Sequence, residues 1–114
     1  MHLRLRFVVL HTPDIGGMKA FYEGLGLKVH ADYGMWVEFE TGPATLALHE
    51  SGENEATRNA GVFLEVEDVD ALYLRLKEKG LVVSEPKDQD FGFRTFTLRD
   101  PQGNQVEFGE PLQP

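Results

Sequence analysis

Short blocks of alternating apolar and polar residues run along this chain, and two longer blocks carry apolar residues at helical spacing. Residues 4–11 alternate and are rich in β-branched and aromatic types, which is typical of a strand. After Asp14, which is suited to cap a helix, apolar side chains recur at helical spacing until Gly24 and Gly26. Three more strands are predicted in this half, near residues 27–32, 35–41 and 44–49.

The same order of elements occurs a second time. A strand is predicted over residues 61–66, Asp68 is placed to cap a helix, and Gly80 is placed to end it. Asp14 and Gly26 are separated by the same distance as Asp68 and Gly80. Self-similarity at this scale indicates a fold built by repeating one unit. Further strands in the second half are predicted near residues 82–85, 92–99 and 104–109.

The stretch between the two halves has the composition of a linker. Residues 51–59 are polar and charged and show no hydrophobic periodicity. At 114 residues the chain is of ordinary size for one domain with one core. We therefore predict a single domain over residues 1–114, with module one at about residues 1–50 and module two at about residues 60–114.

Composition and charge exclude several classes of protein. The chain has no cysteine, so disulfides, thiolate nucleophiles and zinc–thiolate sites are ruled out. The formal net charge of −8 is opposite in sign to the basic surface that nucleic-acid binding requires. No apolar run approaches the roughly 18–20 residues of a membrane-spanning helix, and the first residues alternate like a strand rather than forming a signal peptide. We expect a soluble, cytoplasmic protein that binds neither nucleic acid nor membranes.

Three segments carry a resemblance to a known family. They are residues 21–27 (FYEGLGL), residues 66–70 (VEDVD) and residues 100–108 (DPQGNQVEF). With these segments the chain resembles the vicinal-oxygen-chelate superfamily, which includes glyoxalases, bleomycin-resistance proteins, fosfomycin-resistance enzymes and extradiol dioxygenases. The resemblance covers nearly the whole chain, and the aspartate–proline–x–glycine–asparagine turn is its more specific part.

The resemblance implies an α+β fold of two tandem βαβββ modules. In this family mixed, curled sheets surround an open cavity, and the helices lie on the outer face. Members usually form dimers. We expect a homodimer here as well, because a single open cavity of this fold exposes much apolar surface.

The resemblance also implies where a metal would bind. Metal-dependent members draw His, Glu or Gln ligands from the first and last strand of each module. Aligned on the repeat, the first-strand positions are Phe7 and Gly61, and the last-strand positions are Ala47 and Glu107. Of these four, Glu107 alone can ligate, whereas zinc enzymes typically use three protein ligands. We therefore predict no metal site of the family type and no cofactor.

A displaced metal site is an alternative. Because side chains alternate along a strand, His11 shares a face with Phe7, and His49 shares a face with Ala47. Together with Glu65, the two histidines would form a two-histidine, one-carboxylate set of the non-haem iron type. These residues lie further along their strands than the family's ligand positions, so we favour the interpretation that they are polar residues at strand ends, in water.

Residues predicted to contact a ligand are mostly aromatic or acidic. Trp36 and Glu38 should face the cavity, since Val37 and Phe39 match apolar positions assigned to the helix side. Trp36 could instead pack in a dimer interface. Arg94 could receive an anionic group or, as we favour, pair with an acidic neighbour. The full predicted set of ligand-contacting residues is Phe7, Val9, Trp36, Glu38, Ala47, Phe63 and Arg94.

Two functions are compatible with these residues. The first is a small-molecule-binding protein without the family's metal site, which sequesters or senses an aromatic or amphipathic ligand. The alternative is a lyase, isomerase or dioxygenase with a metal-free or displaced site, in which Glu107 is the catalytic residue and acts as a general base. Whether the protein is an enzyme, and which ligand it binds, stay open at this point.

Overall fold

The computed structural model describes residues 2–113 and divides into two compact units. The first unit ends at Arg58 and the second begins at Asn59. This boundary falls inside the stretch 51–59 that was predicted to be a linker. Among the described residues, no helix is long and apolar enough to cross a membrane.

Each unit contains one helix and a mixed four-stranded sheet. The first unit contains, in chain order, β1 (Phe7–Thr12), α1 (Ile15–Leu25), β2 (Val29–Asp32), β3 (Trp36–Phe39) and β4 (Thr45–Glu50). The second contains β5 (Gly61–Glu65), α2 (Val69–Glu78), β6 (Lys87–Asp88), β7 (Phe93–Arg99) and β8 (Gln105–Pro111). The strand orders are β1-β4-β3-β2 and β5-β8-β7-β6. The first strand of each unit runs parallel to the last, and the other pairs are antiparallel. The α+β fold of two βαβββ modules is therefore confirmed.

The two helices begin and end in the same way, which confirms the repeat. The Asp14 carboxylate accepts a hydrogen bond of 3.0 Å from the N–H of Gly17, and the Asp68 carboxylate accepts one of 3.0 Å from Ala71. Both side chains thus satisfy an N–H group that the first helical turn leaves without a partner. Gly26 and Gly80 follow the two helices with φ of 112° and 82°, a conformation that favours glycine.

The hydrophobic core of each unit lies between its helix and one face of its sheet. In the first unit Tyr22 of α1 packs on Phe39 of β3, with ring centroids 5.8 Å apart. In the second unit Tyr73 of α2 packs on Phe96 of β7 at 5.7 Å. Val37 and Leu98, on the same faces as these phenylalanines, are also buried. The assignment of these residues to the helix side is confirmed, so alternate residues of the same strands lie on the opposite face.

The predicted strand at residues 82–85 is wrong, and a hydroxyl group explains the difference. Ser84 donates its N–H to the carbonyl of Thr97 at 3.0 Å, as a strand residue would. Its side-chain oxygen, however, accepts the N–H of Thr97 at 2.8 Å, in the place of a backbone carbonyl. The ladder is interrupted there, and Pro86, which lacks an N–H, follows. In place of the predicted strand, the structure has β6, which begins at Lys87, two residues after position 85.

The stretch 51–59, which was predicted to be a linker, is more ordered than a free linker. It contains a short 3₁₀ turn over Glu53–Glu55. Thr57 then bonds the edge of β1: its hydroxyl oxygen accepts from the N–H of His11 at 2.8 Å, and its own N–H donates to the carbonyl of His11 at 2.8 Å. These bonds cover part of the exposed edge of β1 and fix the backbone at His11.

Candidate functional site

The face of the first sheet opposite α1, here called its open face, carries four rings in continuous contact. Phe7 meets Trp36 at a centroid distance of 5.4 Å, and Trp36 meets His49 at 5.9 Å. His49 in turn meets His11 at 5.2 Å. We call these four residues the aromatic row. They come from three adjacent strands, since His49 of β4 is paired with both His11 of β1 and Trp36 of β3.

Ala47 lies beneath the contact between Phe7 and Trp36. It is paired with Val9 on one side and Glu38 on the other, and none of its surface is exposed. Phe7 and Trp36 belong to the strands that flank β4, so their rings meet across that strand, above Ala47. A small residue at position 47 is needed for this arrangement, because a larger side chain would push the two rings apart.

Glu38 adds a negative charge beside the aromatic row. Its carboxylate accepts a hydrogen bond of 2.9 Å from the Trp36 indole N–H, which fixes the orientation of both side chains. One hydrogen bond leaves the carboxylate with further acceptor capacity. A cavity of about 280 Å³ adjoins Glu38 and is also lined by Arg6, His30 and Thr45.

The open face of the second sheet carries a separate cluster of phenylalanines. The ring of Phe63 packs on Phe93 at 5.1 Å and faces Phe91 at 6.5 Å. Gly109 makes this packing possible, because a methyl group at that position would collide with the Phe63 ring and lie 3.1 Å from Phe93. The role of Gly109 was missed from the sequence. Because side chains alternate along β8, Gly109 lies on the same face as Glu107, and this alternation could have indicated its place beside the site.

Glu107 lies next to Phe63 on this open face. The two residues are direct partners in the β5–β8 ladder. The carboxylate is half-buried beside a cavity of about 230 Å³ that Gly61, Phe63 and Gln105 also line. Within residues 2–113 its side chain makes no hydrogen bond or ion pair with protein. An acceptor with open capacity in a small cavity can receive a donor from a ligand or remove a proton from one.

The four positions that the resemblance assigns to metal ligands are equivalent in structure as well as in sequence. Ala47 is paired with the third residue of β1, and Glu107 with the third residue of β5. Phe7, Ala47 and Gly61 have no side-chain atom that can bind a metal, and Ala47 is covered by aromatic rings. These residues therefore do not fit a divalent ion, which needs several nitrogen or oxygen donors.

Two of the three residues of the displaced metal site come together. The Nδ1 atoms of His11 and His49 lie 3.1 Å apart, and both rings are half-buried. Glu65 belongs to the second unit, where it is exposed at the end of β5. The geometry of the histidine pair is therefore determined within the first unit alone.

Arg94 lies on the helix side of its sheet and is held by acidic neighbours. Its guanidinium donates to both oxygens of Asp70 and to Asp88. The hydrogen bonds that Arg94 donates to these carboxylates, to Asp70 first, raise the pKa of Arg94 above its ordinary value. Nearby, Glu110 accepts the N–H of Val69 at the start of α2. The favoured interpretation, an ion pair, is thus present, and a ligand-binding role for Arg94 stays a prediction.

Comparison with known proteins gives the family. The family model described as the Glyoxalase/Bleomycin resistance protein/Dioxygenase superfamily matches residues 4–108. The chain belongs to this superfamily. The resemblance inferred from the segments at 21–27, 66–70 and 100–108 is confirmed. No curated protein matches the sequence with significance.

Several solved structures share the fold along nearly the whole chain. A protein of unknown function from Agrobacterium tumefaciens is 32% identical, with a TM-score of 0.80, over 98% of this chain and 97% of its own. TnmS3, an antibiotic binding protein from Streptomyces sp. CB03234, is 26% identical, with a TM-score of 0.83, over 96% and 97%. A lactoylglutathione lyase from Agrobacterium tumefaciens is 24% identical, with a TM-score of 0.75, over 92% and 91%, which supports the fold alone.

Proposed function

We propose that this protein binds a small aromatic or amphipathic molecule that carries a positive charge, without the family's metal ion and without making or breaking a bond. The observation that carries the proposal is the aromatic row on the first open face, with the Glu38 carboxylate held beside it by the Trp36 indole. A planar ligand can lie against Trp36 and Phe7, while its cationic group meets Glu38.

The aromatic row offers such a ligand both a large contact area and rigid side chains. Aromatic side chains offer large contact areas, and a cation near a tryptophan face gains roughly 0.5–2 kcal/mol. Trp36 already contacts both Phe7 and Glu38, so little freedom of these side chains remains to be lost when a ligand binds. Val9 and Ala47 would form the floor of the site. On the second open face Phe63 is proposed to contact ligand beside Glu107.

Similarity to a binding protein supports the proposal. TnmS3 is an antibiotic binding protein, and it aligns with nearly the whole of this chain at 26% identity. The ligand of that protein is thus an antibiotic. We transfer only this class of activity, the non-covalent binding of a small molecule, and not the identity of the ligand.

The test uses the one tryptophan of the chain, since Trp36 is part of the proposed site. Planar cationic, neutral and anionic probes are titrated while Trp36 fluorescence and the melting temperature are followed. Glu38→Gln should weaken the cationic probe about tenfold, equivalent to roughly 1.4 kcal/mol. Glu23→Gln, at an exposed residue of α1, changes the net charge equally and should have no effect.

Two results would contradict this proposal. One is that no probe changes either signal. The other is that Glu38→Gln and Glu23→Gln weaken the cationic probe to the same extent, which would show that net charge and not the site determines binding.

A second candidate function is enzymatic, and Glu107 is the residue that favours it. A half-buried carboxylate that has no partner within residues 2–113, beside a cavity of about 230 Å³, is placed to remove a proton from a bound substrate. This would suit a lyase or isomerase, or a dioxygenase with a displaced site. Glu107→Gln separates the two functions: retained binding with lost turnover would establish catalysis, whereas unchanged turnover of every substrate tested would exclude Glu107 as the base.

We further propose that the two units are modules of a single domain. This domain would form a homodimer in the cytoplasm and bind no nucleic acid. Phe63 and Phe91 have 42% and 59% of their surfaces exposed, and apolar surface of this kind favours association. Sedimentation velocity would measure the dimer directly, and a monomer at micromolar concentration would contradict it.

A further inference from the structure

Two histidines face each other across the parallel pair β1 and β4. His11 and His49 are direct partners in the ladder, and both side chains lie on the open face of the first sheet. Their Nδ1 atoms are 3.1 Å apart. Both backbone hydrogen-bonding groups of His11 bond to Thr57, and the next residue, Thr12, accepts the N–H of Ser51, just after β4, at 2.9 Å. The pair is therefore built into the rigid part of the sheet.

The separation of the two nitrogens is compatible with one shared ion. Imidazole nitrogens bind zinc at about 2.0–2.1 Å, so two ligands at angles of 90–110° lie roughly 2.9–3.4 Å apart. The observed 3.1 Å falls in this range. Without a metal, the same separation allows an N–H···N hydrogen bond in which one ring donates and the other accepts. Both Nδ1 atoms can bind an ion once the proton of the donor ring moves from Nδ1 to Nε2 by exchange with water, so the rings need little rearrangement and no net proton is released.

We propose that His11 and His49 form a site for a divalent transition metal such as Cu²⁺ or Zn²⁺. Imidazole suits both ions, and Cu²⁺ binds most tightly among the first-row divalent metals. Two protein ligands leave the remaining positions open to water or to a small molecule lying on the aromatic row. This site lies apart from the four positions at which the superfamily places its ligands, and it does not depend on Glu107.

Trp36 makes the site directly observable. It is the one tryptophan in the chain, and its ring lies 5.9 Å from that of His49. A paramagnetic Cu²⁺ ion at the histidine pair would lie within the range at which it quenches indole fluorescence strongly. Zn²⁺ at the same site would not quench, but it should compete with Cu²⁺ and restore the signal.

The experiment is a Cu²⁺ titration of chelator-treated protein that carries His2→Gln, so that a histidine next to the amino terminus does not compete. Fluorescence and calorimetry should show one ion per chain. His11→Gln and His49→Gln should each weaken binding at least about tenfold, since even outer-shell changes cost 10–100-fold. His30→Gln, at an exposed histidine of β2, is the matched control and should bind as before.

Electron paramagnetic resonance of the Cu²⁺-loaded protein gives a test that does not depend on the folding of the variants. Hyperfine splitting from two imidazole nitrogens is expected. One nitrogen or none, or equal weakening by His30→Gln and by His49→Gln, would overturn the proposal. Such a result would leave the small-molecule function untouched, because the probe here is the metal alone and the site residues tested are different from Glu38.

Discussion

Asn104 connects the turn at residues 100–104 to the beginning of β5, and its removal should destabilise the protein strongly. Its side-chain oxygen accepts the N–H of Ala60 at 2.9 Å, and its amide group donates to the Asp100 carboxylate at 3.0 Å. Asn104 is completely buried, and 4% of Asp100 is exposed. The substitution Asn104→Ala leaves the part-buried N–H of Ala60 without this partner and removes a donor from a buried carboxylate.

The size of the effect follows from these two bonds. A neutral hydrogen bond contributes about 1 kcal/mol and one to a charged group about 1.5–3 kcal/mol, so the expected loss is roughly 3 kcal/mol. For a chain of this length such a loss lowers the melting temperature by roughly 10–15 °C. A loss of roughly 3 kcal/mol is a large part of the free energy of unfolding of a small domain, which is typically about 5–15 kcal/mol.

Urea unfolding followed by far-UV circular dichroism is the suitable assay. Fluorescence is not, because Trp36 lies in the other unit and reports on that unit. Gln105→Ala, at the exposed neighbouring residue, serves as the control and should change the free energy of unfolding by less than about 0.5 kcal/mol. If Asn104→Ala were no more costly than this control, at an unchanged dependence on urea, the reasoning from the buried network would be refuted.

Two other contacts can also be tested by substitution. Gly109→Ala puts a methyl group against Phe63 and should lower the free energy of unfolding by about 1–2 kcal/mol in a urea melt. In a chain that already carries Phe63→Ala, Gly109→Ala should no longer have this cost. If the losses of the two single variants were additive in the double variant, the contact would be contradicted. Lys19, 2.8 Å from Asp32, holds the pKa of that carboxyl below its ordinary value. Lys19→Met should therefore raise the pKa of Asp32 in an NMR titration, but only in part, because a backbone N–H still donates to the carboxylate. Since the pKa of Asp32 is lowered in the folded state, the stabilisation of the fold by this pair is present at neutral pH and lost as the pH falls. The exposed control Lys28→Met should leave the pKa of Asp32 unchanged. An equal shift of this pKa in both variants would argue against the Lys19–Asp32 pair.

The helix ends show why local chemistry was readable from the sequence. An aspartate before a helical block can cap it using only its own side chain and an N–H three residues on, as Asp14 and Asp68 do. A glycine after the block can adopt positive φ without strain, as Gly26 and Gly80 do. These features need no distant partner, so the repeat predicted the βαβββ order of both units.

The error at residues 82–85 shows where local information fails. Val82 and Val83 have high strand propensity, but propensity in strands depends strongly on context. What decides the structure there is a hydrogen bond between the Ser84 hydroxyl and the N–H of Thr97 on β7. Nothing near Ser84 in the sequence indicates which residue will lie opposite, so the interruption of the ladder was not predictable.

The candidate site was predictable from the sequence in part. Alternation along strands correctly placed Val37 and Phe39 on the helix side, and hence Trp36 and Glu38 on the open face. It did not predict that Phe7 and Trp36 would meet above Ala47, or that the Nδ1 atoms of the histidine pair would be 3.1 Å apart. Those contacts depend on the register of β1, β4 and β3.

The sequence alone therefore determined the doubled architecture, the superfamily and the chemical types present at the four inherited positions. These follow from hydrophobic period, helix caps and a turn motif, all of which act over a few residues. Only the tertiary structure decided that Ala47 is covered by two rings, that Glu107 has no partner among the described residues, and that His11 faces His49. Strand pairing brings together residues that are far apart in sequence, and a shift of register by one residue would have placed each of these side chains on the other face.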